Sequence, residues 1–214
     1  MIGMLKKTIF YILIGVSSVS CILDKLIYKF NSDNKITNYK EFVNSDRYSK
    51  SYGVYENNAL MSIANKSNTS IEVDLKKQRL KLLVKNKVAL DSPTTTGSKR
   101  KKDINDGKVE DKRTPRGSFK IIEKKEHKQS TTYGKFYKDN KEVYYGDRRK
   151  YKKKFDRFEG VEMPYWMRIT GPIGIHESEV IVRNTGSNGC IRLPAEAALK
   201  VYSKVKVGTK VKIK

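Results

Sequence analysis

The stretch most able to do chemistry lies between Ile173 and Leu193. Ile173-Gly174-Ile175-His176 is followed, after ten residues, by Ser187-Asn188-Gly189-Cys190-Ile191-Arg192-Leu193. A nucleophilic thiol needs a base to take its proton, a site for the developing oxyanion and a backbone that exposes the sulfur. Cys190 follows Gly189, which permits a tight turn and close approach of backbone. A hairpin-like return could bring the His176 ring to the sulfur, and such a pair depresses the thiol pKa and yields thiolate near neutral pH. Amides around Gly189 and Cys190 could hold an oxyanion. The residues alone leave the bland readings open. A lone Cys is most often a small buried hydrophobe, and a His at a strand end is often a satisfied polar group. The second histidine, His127, sits among charges in Lys124-Lys125-Glu126-His127-Lys128 and reads as surface.

These groups must be carried by strands. Ile71, Val73 and Leu75 alternate with Glu72 and Asp74, and Leu80, Leu82 and Val84 repeat the period of two. Lys85-Asn86-Lys87 turns into Val88, Leu90 and Thr94-Thr95-Thr96, closing a three-strand meander at Gly97. Gly117 to Ile122, Tyr165 to Thr170 and Ile173 to His176 read as further strands, the last two parted by Gly171-Pro172. Pro194 to Val205 reads as a helix with Leu199, Tyr202 and Val205 on one face. Val211 and Ile213 make a last strand. The expected domain is mainly β, with one or two short helices, over residues 69–214. Two insertions stand out. Residues 98–113 are a charged loop. Residues 124–157 hold 13 Lys and Arg against 5 Asp and Glu, interleaved with Tyr133, Phe136, Tyr137, Tyr144, Tyr145, Tyr151 and Phe155. That run reads either as a solvated loop or as a lid whose aromatics stack on a ligand.

The remainder of the chain bounds where the domain works. It has 214 residues, with 46 Lys and Arg against 23 Asp and Glu, a net charge of +23. Such an excess implies a polyanionic neighbourhood. Two Cys and two His exclude a disulfide scaffold and a Cys-rich zinc site. Lys6 and Lys7 precede an uncharged apolar run from Thr8 to Leu23, about 24 Å as a helix. Residues 1–30 therefore read as a signal anchor, with a lipoprotein signal at Cys21 or a cleaved signal peptide as the alternatives. Residues 31–68, rich in Asn, Ser, Lys and Tyr, read as a polar linker or stalk, with short amphipathic pieces around Tyr39 to Val43 and Asn58 to Ile63. All three readings of the first segment place the rest in the cell envelope outside the cytoplasm, which argues for no nucleic acid as partner; a nucleic-acid binder, resting only on charge and aromatics, is the alternative that a cytoplasmic domain would require.

The assembled blocks resemble the L,D-transpeptidase catalytic domain family, the YkuD type, over about residues 69–214. The resemblance rests on S-N-G-C-I-R-L with I-H upstream, on V-x-x-G-T-x-V-x-I at the end, on Thr114-Pro115-Arg116-Gly117-Ser118-Phe119, and on M-P-Y-W-M-R-I-T-G-P-I-G-I-H. It implies a β-sandwich-like fold, Cys190 as nucleophile and His176 as base, with the carbonyl of Glu177 orienting the ring. It implies that Ser187, Asn188 and Gly189 support the turn and the oxyanion region, and that Arg192, Tyr165 and Trp166 bind substrate. It implies no metal and no organic cofactor. One position departs from the pattern: Asn188 stands where the family usually has His. The implied partner is a peptidoglycan stem peptide, and the charge suits an anionic cell wall or membrane surface. The expected protein is a monomer anchored to the cytoplasmic membrane. The implied reaction passes a stem tetrapeptide, as a thioester, to an amine. An L,D-carboxypeptidase using water and a non-catalytic wall-binding domain are the competing readings.

Overall fold

The computed structural model of the chain describes residues 38–50, 53–97, 100–102, 109–179 and 185–214. The apolar run and its reading as an anchor lie outside these. Among the described residues no helix is long and apolar enough to cross a membrane. The chain divides after Ser45 into two units. In the first, helix α1 (Tyr39–Val43) starts where Asn38 accepts the Glu41 amide at 3.0 Å, the ordinary N-cap bond.

The second unit opens with α2 (Asp46–Ser49), strand β1 (Tyr55–Glu56) and α3 (Asn58–Ile63), capped by Asn57. Order therefore begins well before Ser70. β1 pairs with β4 (Lys87–Pro93), and Met61 and Ala64 join the hydrophobic core. Residues 53–68 belong to the folded unit and not to a stalk. Val54, Leu60, Met61 and Ala64 pack in or against the core, although the segment is too short to show a sustained period.

The meander is built by β2 (Thr69–Asp74), β3 (Arg79–Val84) and β4 in antiparallel register, Ile71 opposite Leu82 and Leu82 opposite Leu90. Lys85 and Asn86, both at positive φ, make the two-residue turn between the last two. β15 (Lys210–Ile213) adds parallel to β2 and antiparallel to β7 (Gly117–Lys120). The resulting six-stranded sheet has the order β1-β4-β3-β2-β15-β7. A buried ion pair locks its far edge. Arg79 Nε donates to Asp91 at 2.7 Å with both side chains fully buried, and Arg79 Nη2 reaches the Gly53 carbonyl at 2.9 Å.

The second sheet carries the chemistry-bearing residues. It comprises β8 (Glu123–Lys125), β12 (Trp166–Thr170), β13 (Ile173–Glu177) and β14 (Ile191–Leu193), ordered β14-β13-β12-β8. β12 and β13 form the hairpin expected from Gly171-Pro172. β14 joins β13 in parallel, with Ile175 beside Ile191 and His176 beside Arg192. Met167, Ile169, Ile175, Ile191 and Leu193 turn one face into the core. Each fully buried aliphatic there contributes roughly 1.5–3 kcal/mol.

Helix α4 (Ala195–Lys204) follows Pro194 and presents Ala197, Ala198 and Val201 to the core, continued by Val205. The face predicted through Leu199 is corrected: Leu199 is 49% exposed. Small residues turn inward because they allow the helix backbone to approach the sheet closely. Lys124 closes the helix end, its Nζ donating to the Tyr202 and Val205 carbonyls at 2.7 Å each.

The basic insertion is folded. β9 (Gln129–Lys138), β10 (Lys141–Asp147) and β11 (Arg157–Glu162) form a three-stranded antiparallel sheet ordered β10-β9-β11. Phe136 is its fully buried centre, with Tyr144, Tyr151, Phe155 and Phe158 packed around the ring. The sequence leaves two readings of this segment, a solvated loop and a lid whose aromatics stack on a ligand; Phe136, Tyr144, Tyr151 and Phe155 instead pack on one another and with Phe158 as the module's own core. In the charged loop 98–113, β5 (Arg100–Lys102) pairs with β6 (Val109–Asp111).

Candidate active site

Alternation along the strands fixes which side chains meet. Because Ile175, Ile191 and Leu193 face the core, His176 and Arg192 face the other side, directly beside each other across the parallel pair. Cys190 immediately precedes β14 and continues the same face. It is thus the diagonal neighbour of His176, with backbones roughly 7–8 Å apart, a spacing side chains span. The antiparallel β12–β13 register puts Trp166 on the opposite flank of His176, their rings 5.9 Å apart. One row across the sheet therefore reads Trp166, His176, Arg192, and the next reads Arg168, Gly174, Cys190.

Gly174 is what lets these rows close. A Cβ there would sit 2.7 Å from two atoms of the Trp166 ring, so the indole lies across the glycine. The Trp166 indole N–H is buried and has no hydrogen-bond partner among the described residues. It is a donor left over on this face.

His176 is buried, and its Nδ1 lies 2.5 Å from the Glu177 carbonyl. A carbonyl only accepts, so Nδ1 carries the hydrogen and Nε2 is left as the free base. Burial pushes the imidazole down to about 4, against the Glu177 carbonyl, which favours the cation; the Arg192 charge lowers it further. Burial also pushes the Cys190 thiol up, opposed by the Gly174 amide and by Arg192. Burial thus acts against the charged form of each group, while the Gly174 amide and Arg192 favour the thiolate. The half-buried sulfur has the Pro172 carbonyl at 3.8 Å.

The turn before β14 is held from within and from outside. Ser187 Oγ donates to the Cys190 carbonyl at 2.5 Å and accepts the Gly189 amide at 3.1 Å. Gly189, at φ 112°, occupies a region that side chains rarely adopt. Its amide is engaged by Ser187, so it is not an oxyanion donor in this conformation; the Cys190 amide is the one of the expected pair that remains. Thr114 Oγ1 accepts the Gly97 amide at 2.9 Å and donates to the Gly189 carbonyl at 2.8 Å. Thr94 Oγ1 donates to the Arg192 carbonyl at 2.7 Å, and Thr95 bridges to Arg192 through the backbone. Asn188 is exposed.

Of the residues named from sequence, Cys190, His176, Arg192 and Trp166 share one sheet face, and Ser187, Gly189 and the Glu177 carbonyl support it. Tyr165 is not brought there. Its φ is 55°, and its ring lies 5.6 Å from Tyr202 of α4, on the core side. Sequence reasoning assigned no role to Gly174, Thr94 or Thr114. Each lay inside or beside a recognised block, but linear spacing does not reveal that the blocks meet at one turn.

A family model for the L,D-transpeptidase catalytic domain, YkuD, matches residues 68–213. An L,D-transpeptidase from Xylanimonas cellulosilytica is similar in structure, with a TM-score of 0.51 and 20% identity, covering 70% of this chain and 62% of that one. An L,D-transpeptidase from Mycobacterium smegmatis gives a TM-score of 0.50 at 18% identity, over 69% of this chain and 58% of that one. The chain thus spans about three fifths of the length of these two neighbours, and the likeness is one of fold. No relative is found among curated proteins.

Proposed function

Because the chain belongs to the L,D-transpeptidase catalytic domain family, we propose that it is a cysteine-dependent enzyme of peptidoglycan crosslinking or remodelling that works in the cell envelope. The observation carrying this reading is the placement of Cys190, His176 and Arg192 on one sheet face, with the Glu177 carbonyl fixing Nε2 of His176 as the base.

The donor in this reading is a stem tetrapeptide. Its carbonyl at the L-centre of the diamino acid, joined to the terminal D-Ala, enters beside Cys190. Sγ attacks the carbonyl carbon as its proton passes to His176 Nε2. The proton leaves sulfur for Nε2 as the S–C bond forms. The oxyanion is met by the Cys190 amide, and the Arg192 charge stabilises the developing negative charge. When the C–N bond breaks, His176 returns the proton to the departing D-Ala amine. A thioester on Cys190 is left. An acceptor amine then attacks it, loses a proton to His176, and the thiol re-forms. In this reading the buried, unpartnered Trp166 N–H is a candidate donor to a substrate carbonyl.

Muropeptide analysis tests the reading. Tetrapeptide-bearing muropeptides incubated with the wild type should yield crosslinked dimers, and Cys190→Ala should yield none. Tripeptides without dimers would assign a carboxypeptidase. Equal products from wild type and Cys190→Ala would leave a wall-binding domain.

A further inference from the structure

We propose that the β9–β11 module is a docking surface for a linear phosphodiester polymer of the cell envelope, a role beyond the acyl-transfer reading. The segment joining β10 to β11 contains Arg148-Arg149-Lys150-Tyr151-Lys152-Lys153-Lys154. An unanchored run of this kind would be a solvated loop. Here it is pinned to the sheet. Tyr151 stacks on Tyr144 at 4.8 Å and 11°, and Phe155 meets Phe136 edge-on at 4.9 Å. With rings at 151 and 155 turned inward, Lys152, Lys153 and Lys154 between them are held exposed.

The neighbouring turn adds to the cluster. The Asp139 amide donates to Asp156 at 2.7 Å, and the Asp156 amide to the Tyr137 carbonyl at 2.8 Å. These bonds draw the turn bearing Lys138 and Lys141 alongside. Asp147 pairs with Arg149, Glu142 with Lys135 and Glu159 with Arg157, while Asp139 and Asp156 lie in the turn itself, the Asp156 carboxylate accepting the Asp139 amide. Among the described residues the five lysines 138, 141, 152, 153 and 154 have no carboxylate partner. Clustering like charges does nothing for the fold, and their field is positive and open to solvent.

The chemistry selects the partner. Ammonium groups on flexible stems are point charges with no planar fork, suited to repeated single phosphates and not to one bidentate anion. Phe136, Tyr144, Tyr151, Phe155 and Phe158 pack on one another, and the exposed ring of Tyr145 is a single one, too few to stack successive nucleic-acid bases. The lysine turns present no apolar wedge for a bilayer; exposed Tyr145 and Val143 lie within β10. A flexible polymer with one phosphodiester per repeat matches a cluster of exposed, separately mounted lysines.

The test uses the full chain, purified poly(glycerol phosphate), phosphatidylglycerol vesicles and single-stranded DNA, each titrated over a range of salt. The triple variant Lys152→Gln/Lys153→Gln/Lys154→Gln should weaken polymer binding about tenfold or more and flatten its salt dependence. A control triple, Lys76→Gln/Lys77→Gln/Lys87→Gln, removes the same charge elsewhere and should change binding by less than about twofold. Cys190→Ala should bind polymer as the wild type does, which separates this surface from catalysis. Equal losses in both triples would reduce the effect to net charge and overturn the proposal. So would polymer binding unchanged in the first triple, or losses confined to vesicles or DNA.

Discussion

Burial acts on Cys190 and His176 in opposite directions, raising the thiol and lowering the imidazole to about 4. Free-enzyme alkylation by iodoacetamide, followed by mass, should therefore be slow through neutral pH and rise only above the ordinary thiol range. A plateau at pH 6–7 would indicate a standing ion pair and contradict this. The same shift couples to stability. In the unfolded chain His176 titrates near 6.5, so between 6.5 and 4 the unfolded state binds the proton and the folded state does not. The folded state loses stability as pH falls through that window, by about 3 kcal/mol at most, and keeps it in full above the window. Urea midpoints should drop between pH 7 and pH 4.5 in the wild type, and His176→Gln should flatten that slope. His176→Gln should also lower the acylation rate by about 10²–10⁴-fold while leaving the fold intact.

Elements hold these residues through their packing. Gly174→Ala would drive a methyl into the Trp166 ring, so the indole or the β12–β13 hairpin must shift. A loss of about 1–3 kcal/mol by thermal melting, with slowed Cys190 acylation, is the expected result. On the other sheet, Asp91→Ala takes the carboxylate at 2.7 Å away from a fully buried guanidinium and should destabilise by about 3–5 kcal/mol. The hairpins of both sheets were legible because Leu80, Leu82 and Ile175 keep a clean period of two beside Gly, Pro and Asn turns. β9 to β11 were not, since their alternation sets aromatics against Lys, Ser and Gly, and the charge hides the period. The helix face was misjudged by about one residue because Ala, which the apolar pattern weights least, is what packs closest. At the site, the Cys190 and His176 pair stood out, but its environment did not: desolvation by a sheet row is a property of packing and leaves no mark in spacing.

At the scale of the whole molecule, one sheet face bears Cys190, His176 and Arg192, and the β9–β11 module bears the five lysines without a carboxylate partner among the described residues. The two carry different dependences on solution conditions. Single-turnover acylation of Cys190 by a small neutral acylating probe should be nearly insensitive to salt, whereas retention on an anionic wall should fall with it. A common salt dependence would argue against separate surfaces. The most direct measurement is the intact mass of the full chain after brief exposure to a stem tetrapeptide. The account predicts one added tripeptidyl group, the terminal D-Ala lost, mapped to Cys190 and absent from Cys190→Ala. No adduct on the wild type, or an adduct that survives Cys190→Ala, would contradict it.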